Sequence, residues 1–366
     1  LEIDAGEPAS ARRRFNEAIG RYEALAVTEP DEPHWRAVLS DAWSLAAEAE
    51  LERGEARLAR TAMDKALQAR MRLAVRFPDE SWALAGLWRT RAALLAAMND
   101  AKGAAESLAQ ARALAEPLGA KGGDAAQRFI LHTLLDQADH ALRSGALTFA
   151  RECADEARRR AERLAQATPV WFGEAGACWD RLAEAARLAN APEKALEAFT
   201  RAAEFRRMAC EHAPKDQRAI RALAAALLKL GDAALAASSA HTARAALGES
   251  VRLRLALAEA APEDAGPAFA LATALERLGL AALAGGDAHA ARGAWEDELA
   301  LAERLFEEDD LQGQRFRAIV ESHIVGLGGA DAEARRSSAL ARFDDLARAG
   351  VLTPAETALR KKLWGG

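Results

Sequence analysis

The chain has 366 residues, 51% of them hydrophobic but only 5% aromatic, and a net charge of -6. Alanine and leucine therefore carry the apolar share beside many Glu and Arg residues, while the strand formers Val, Ile and Thr are sparse, so helices are expected almost throughout and a β-rich fold is excluded. Charges of both signs are interspersed without a basic face, which argues against a nucleic-acid partner, and no uncharged apolar run of about 18 residues exists to span a membrane.

Residues 1–30 predict a single helix, either a cap or a truncated repeat. The chain opens on Leu1 rather than Met, as an excised piece or a processed product does. Beyond it the sequence is punctuated. Pro30, Pro78, Asp124, Pro169, Pro214, Pro262 and Asp310 recur every 45–48 residues. Roughly midway between them lie turn residues: Arg53-Gly54-Glu55, Asn99-Asp100, Ser144-Gly145, Asn190-Ala191-Pro192, Ser238-Ser239, Gly285-Gly286-Asp287 and Gly328-Gly329-Ala330-Asp331. Residues 31–349 thus predict seven hairpins, each of two antiparallel helices, A and B, of about 18–20 residues. Residues 350–366 predict a short capping helix, with Thr353 as N-cap, Pro354 in its first turn and Glu356 three residues on.

The B helices share a small-x3-large-x2-small pattern. It reads Ala11/Phe15/Ala18, Ala59/Met63/Ala66, Ala104/Leu108/Ala111, Ala146/Ala150/Cys153, Ala195/Phe199/Ala202, Ala243/Leu247/Ser250, Ala291/Trp295/Glu298 and Ala334/Ser338/Ala341. Sixteen residues before the first member of each, from the second on, stand Trp43, Trp88, Ile130, Trp179, Leu227, Leu275 and Ala318. In two units a Leu-Gly pair follows, Leu230-Gly231 and Leu278-Gly279. A Trp-type residue, Leu-Gly, a small residue, an aromatic and an alanine in this order resemble the tetratricopeptide (TPR) signature, over residues 9 to 349. The tyrosine expected three residues after the glycine is absent, with Ala234 and Ala282 in its place. The units exceed the family's 34 residues, and so resemble the long repeats of bacterial multidomain signalling and effector proteins.

Nothing here has the spacing of chemistry. Seven histidines show no metal-ligand spacing, and His241 and His289 are repeat equivalents in Ala-His-Thr-Ala-Arg and Ala-His-Ala-Ala-Arg. Cys153, Cys178 and Cys210 read as small apolar residues in a reducing compartment, the cytoplasm. No nucleophile elbow, phosphate loop or dinucleotide fingerprint occurs, and no catalytic, cofactor or metal residue is expected. The Trp residues, including Trp35, Trp82 and Trp171 near the start of helix A, read as core, with Trp364 the exception.

The resemblance implies an all-α fold: a right-handed αα superhelix, a TPR-like solenoid of about seven hairpins with terminal capping helices. It also implies a concave wall of A helices that takes a protein or peptide. Transferred by phase, that wall is Asp41, Ser44, Glu48, Arg89, Arg128, Leu135, Asp180, Glu184, Arg187, Leu228, Asp232, Glu276 and Leu280. The Lys/Asn clamp of chaperone-binding members is missing: the matching positions carry Ser44/Glu48, Arg89/Ala93 and Asp180/Glu184. The leading expectation is a non-catalytic interaction scaffold or sensor in a larger bacterial signalling or defence protein. The alternatives are a homo-oligomerisation module and a small-molecule-sensing superhelix, with Trp295, Trp364 and the Arg cluster as its suspects.

Overall fold

The computed structural model describes residues 8–29, 32–119, 122–307 and 310–365, without the side chains of 8–12. Leu1, Pro30, Glu308 and Asp309 lie outside the described residues, as does the Ala11 side chain. Among the described residues there are sixteen α-helices and no strand. After α1 (Pro8–Thr28), the A helices are α2 (Pro33–Glu52), α4 (Ser81–Ala97), α6 (Gly123–Arg143), α8 (Phe172–Leu188), α10 (Gln217–Ala236), α12 (Ala265–Ala284) and α14 (Leu311–Gly326). The B helices are α3 (Ala56–Arg76), α5 (Ala101–Gly119), α7 (Leu147–Ala167), α9 (Pro192–His212), α11 (Ala240–Ala260), α13 (Ala288–Leu305) and α15 (Ala332–Arg348), and α16 (Pro354–Trp364) closes the chain. The chain is thus an all-helical, solenoid-like series of hairpins.

One local device makes most of the hairpins. Gly54, Asn99, Gly145, Asn190, Ser238 and Gly286 each end an A helix with φ between 55° and 80°. Each gives its N–H to the carbonyl three residues back, and the next residue gives its N–H to the carbonyl five back. This is the Schellman motif, which satisfies the last carbonyls of the helix and turns the chain. At the last turn two glycines, Gly328 and Gly329, take φ of 73° and 120° instead.

The helices gather into two compact units, one ending at Arg160 and the other starting at Ala161. In the first, Met63, Leu67, Leu84, Leu87, Leu94 and Leu95 form a core with alanines of α2, α3 and α5, and Trp43 and Trp88 pack half-buried against it. In the second, Phe199, Leu223, Leu227 and Leu230 do the same with Trp179, and Trp295, Val320 and Ile324 form a further cluster. Successive cores of this kind let each hairpin cover the apolar face of its neighbour, so stability accrues between repeats. Aromatic residues near the starts of neighbouring A helices also meet: Trp82 with Phe129 at 4.8 Å and Phe269 with Phe316 at 6.1 Å between ring centroids. At the C-terminal end Leu363 of α16 is buried among Ala318, Ala339, Phe343 and Leu346. Thr353 and Glu356 form the reciprocal capping box at the start of that helix, and Trp364 is 70% exposed.

The small-large-small phase holds in α3, α5, α9, α11 and α13, where each pattern residue is buried. It slips twice. In α7 the residue four from the helix start is Ala150, and the buried series is Ala150, Ala154 and Ala157, while Ala146 is exposed. Alanine at the large position removes the mark by which the phase is read. The partner residue on α6 is then Leu134, fully buried, four residues after Ile130. In α15 the buried set is Ala339, Phe343 and Leu346, with Ala334 and Ala341 exposed.

By length and composition one helix, α12, could cross a membrane. It carries Glu276 and Arg277 and packs between α11 and α13.

A second recurring device links successive B helices within each unit. Arg60 reaches Asp100 at 2.8 Å, Arg244 reaches Asp287 at 3.1 Å and Arg292 reaches Asp331 at 3.2 Å. Each arginine is the fifth residue of its B helix, and each aspartate immediately precedes the next B helix.

Candidate functional site

The expected wall residues lie on A helices, and the two units treat them differently. In the first unit they are largely engaged within the chain. Asp41 is ion-paired with the buried guanidinium of Arg70. Arg89 is ion-paired with Asp136 and lies 5.8 Å from the Phe129 ring centroid. Ser44 and Arg128 are half-buried and Glu48 is exposed. Leu135 is buried. Leu135 is a wall position in either phase, five residues after Ile130 and one after Leu134, so its burial departs from the expectation of an open position. With Leu134 as the reference, the equivalent positions around it are His132, Leu135 and Asp139.

In the second unit the A helices present a periodic charge pattern. Arg277 Nε on α12 lies 3.5 Å from the Asp232 carboxylate on α10. One repeat of 48 residues earlier, Glu184 on α8 has Lys229 of α10 close enough to help lower its pKa, after the larger effect of the hydrogen bond from Arg187. Arg187 donates to both Glu184 oxygens, at 2.5 and 2.9 Å. The Asp232–Arg277 ion pair thus has a counterpart by register in Glu184 and Lys229, where the acid's ion partner is Arg187 of its own helix. Leu228 and Leu280, half-buried, pack against the apolar clusters beneath these charges. Asp180 departs from the expectation of an open groove residue: it is buried, 3.5 Å from Arg206.

Behind the strip lies a polar group in a column of the repeat that is otherwise mostly small residues. Glu298 of α13 occupies a position held by Ala66, Ala202 and Ser250 in other B helices. It is buried, and burial, with the nearby Glu276 carboxylate second, pushes its carboxyl up to about 9. Its Oε2, the Nε of Arg277 and the Nδ1 of His323 are all buried without a hydrogen-bond partner. Burial likewise lowers the pKa of His323, whose ring lies 4.9 Å from that of the buried Trp295. The Trp295 indole N–H donates to the Glu276 carbonyl at 3.3 Å.

Groups able to act as ligands or nucleophiles are dispersed. Among the described residues no three His, Cys, Asp or Glu side chains are placed to hold a metal ion. The three thiols are free. Burial pushes Cys153 up to about 11 and Cys178 up to about 12, which keeps both as unreactive thiols at neutral pH.

No family model and no curated protein matches the chain. Solved structures do. BtubC (BKLC) from P. vanneervenii is 19% identical, with a TM-score of 0.53 over 67% of this chain and 90% of its own. The Signal Transduction ATPase with Numerous Domains (STAND) protein PH0952 from Pyrococcus horikoshii, which has a tetratricopeptide repeat sensor, is 12% identical, with a TM-score of 0.52 over 99% of this chain and 50% of its own. This chain therefore spans half the length of PH0952. At such identities the likeness is one of fold: the chain shares the helical-repeat architecture of tetratricopeptide-like proteins.

Proposed function

We propose that the chain is a protein-interaction module, a scaffold or sensor that receives a peptide or protein segment along the A helices of its second unit. The observation that carries this reading is the ion pair of Asp232 with Arg277, with the register equivalents Glu184 and Lys229 one repeat earlier, set over the half-buried Leu228 and Leu280. A surface of alternating charge with apolar anchors at one repeat spacing suits an extended or helical segment of complementary pattern. The fold likeness to a protein with a repeat sensor supports a role inside a larger signalling protein. The absence of a reactive thiol and of a metal-type cluster among the described residues fits recognition better than catalysis. Free thiols fit the cytoplasm.

The test uses the full chain as bait. A retained protein is identified, purified and titrated against wild type, Leu228→Asp and Leu280→Asp, with circular dichroism as the folding control. The reading expects each variant to lose about ten-fold or more in affinity, as anchors at an interface do. Undiminished binding by both folded variants would sink it.

A further inference from the structure

Three arginines occupy one repeat-equivalent position, the fifteenth residue of their B helices: Arg70 in α3, Arg206 in α9 and Arg254 in α11. Their surroundings differ in one respect. Arg70 is ion-paired with Asp41 and, at 2.6 Å, with Glu80. Arg206 lies 3.5 Å from Asp180. Arg254 is only 9% exposed, yet no carboxylate among the described residues lies within ion-pair distance. Its Nε donates to Ser250 Oγ at 3.2 Å and its Nη1 to the Ala270 carbonyl at 2.8 Å. The second terminal nitrogen has no protein partner among the described residues.

The missing acids can be located by register. Asp41 stands two residues before Trp43, and Ala225 stands two before the equivalent Leu227. Glu80 stands eight before Trp88, and Pro267 stands eight before Leu275. Both Ala225 and Pro267 line a cavity of about 360 Å³ bounded by α10, α11 and the start of α12, and Arg254 lines it too. Where the first repeat sets two carboxylates on its guanidinium, the later one has Ala225 and Pro267 at the equivalent positions and a cavity beside Arg254. A buried charge without a counter-charge is costly, and burial depresses the Arg254 pKa.

We propose that this cavity receives one carboxylate on a short apolar stem, with Arg254 as its ion partner. The charges argue for a monoanion. Arg221 and Asp264 also line the cavity, so with Arg254 the surroundings carry two positive charges and one negative. The Asp264 carboxylate is committed to capping α12, accepting from Gly266 N–H at 2.9 Å. The remaining lining, including Leu257, is mainly apolar and matches an aliphatic stem. A free aliphatic acid and the Glu side chain of a peptide offer the same chemistry. This site stands apart from the charged strip of the proposed function, so either can fail alone.

The test is calorimetric titration of the full chain with butyrate, with the end-blocked peptide acetyl-Ala-Glu-Ala-amide, and with its Gln counterpart. Saturable binding of butyrate, of the Glu peptide, or of both is expected, and the arm that binds identifies the source. The Gln peptide should give no heat. Arg254→Met should abolish the binding. Ala225→Asp restores the internal acid of the first repeat, so it should abolish binding while keeping the guanidinium and the fold. Leu280→Asp, at the other end of α12, should leave it unchanged. No saturable heat from either carboxylate, or binding that survives in a folded Ala225→Asp chain, overturns the proposal.

Discussion

Gly279 of α12 lies directly beneath the indole of Trp295 of α13, so close that a Cβ at Gly279 would stand 2.2 Å from the ring nitrogen. The equivalent Gly231 stands in the same relation to Leu247, at 2.4 Å. The two Leu-Gly pairs of the sequence are therefore contact points at which helix A admits the large residue of helix B.

Gly279→Ala should destabilise the chain. Helix propensity favours alanine by about 1 kcal/mol, but the overpacked indole costs about 1–3 kcal/mol and has buried neighbours on all sides. Gly293→Ala, in α13 with nothing within 4 Å of the added methyl, is the control and should stabilise by about 0.5–1 kcal/mol. Urea midpoints of the two variants should move in opposite directions. A shift of the same sign in both would show that the close approach does not exist.

Glu298 should make stability fall as pH rises. The folded chain holds this proton up to about pH 9, whereas an unfolded carboxyl releases it near its ordinary value of 4.5. Between those values the folded state binds the extra proton, so the contribution is complete below about 4.5 and is lost progressively toward 9, by up to about 1.4 kcal/mol per pH unit. Glu298→Gln keeps the shape without the titration. Its urea midpoint should change less than that of wild type between pH 6 and 8, and parallel curves would refute the assignment.

The sequence made some of this legible and hid the rest for definable reasons. The Gly and Asn residues of the hairpin turns stand out because so few residue types accept positive φ, and the A/B phase stands out wherever a Trp, Phe or Met breaks the alanine background. In α7, Ala150, Ala154 and Ala157 are indistinguishable from their neighbours, so the sequence sets the phase one helical turn early and selects Arg128 where His132 is equivalent, while Leu135 belongs to the wall in both phases. Glu298 was visible as a glutamate in a small-residue column. The cavity at Arg254 was not, because it depends on which side chains of three helices face one another, and shows only when Asp41 and Glu80 are compared with Ala225 and Pro267.

Ser238 holds φ of 58° at the turn position that Gly54, Gly145 and Gly286 occupy elsewhere. A side chain in this left-handed region costs about 1–2 kcal/mol, against which the greater freedom of an unfolded glycine weighs about 0.5–1 kcal/mol. Ser238→Gly should therefore raise the urea midpoint, and Ser238→Val, branched at Cβ, should lower it. If the valine variant is as stable as wild type, the turn has another conformation.

Asp287 serves two neighbours at once, and the two roles can be separated. Its carboxylate accepts the Ala290 N–H at 2.9 Å, capping α13, and pairs with Arg244 of the preceding B helix at 3.1 Å. The backbone hydrogen bond is the main reason its pKa is depressed, with Arg244 contributing less. The cap should therefore outweigh the ion pair, as solvent screening at this exposed site also requires. Asparagine caps a helix as well as aspartate does but carries no charge. Asp287→Asn should thus keep most of the stability that Asp287→Ala loses. The wild-type advantage over alanine should persist in high salt and shrink as pH falls below the ordinary carboxylate value, where the protonated group caps poorly. If asparagine and alanine prove equally damaging, and salt removes the difference from wild type, then the link between successive B helices is the arginine pair and not the cap.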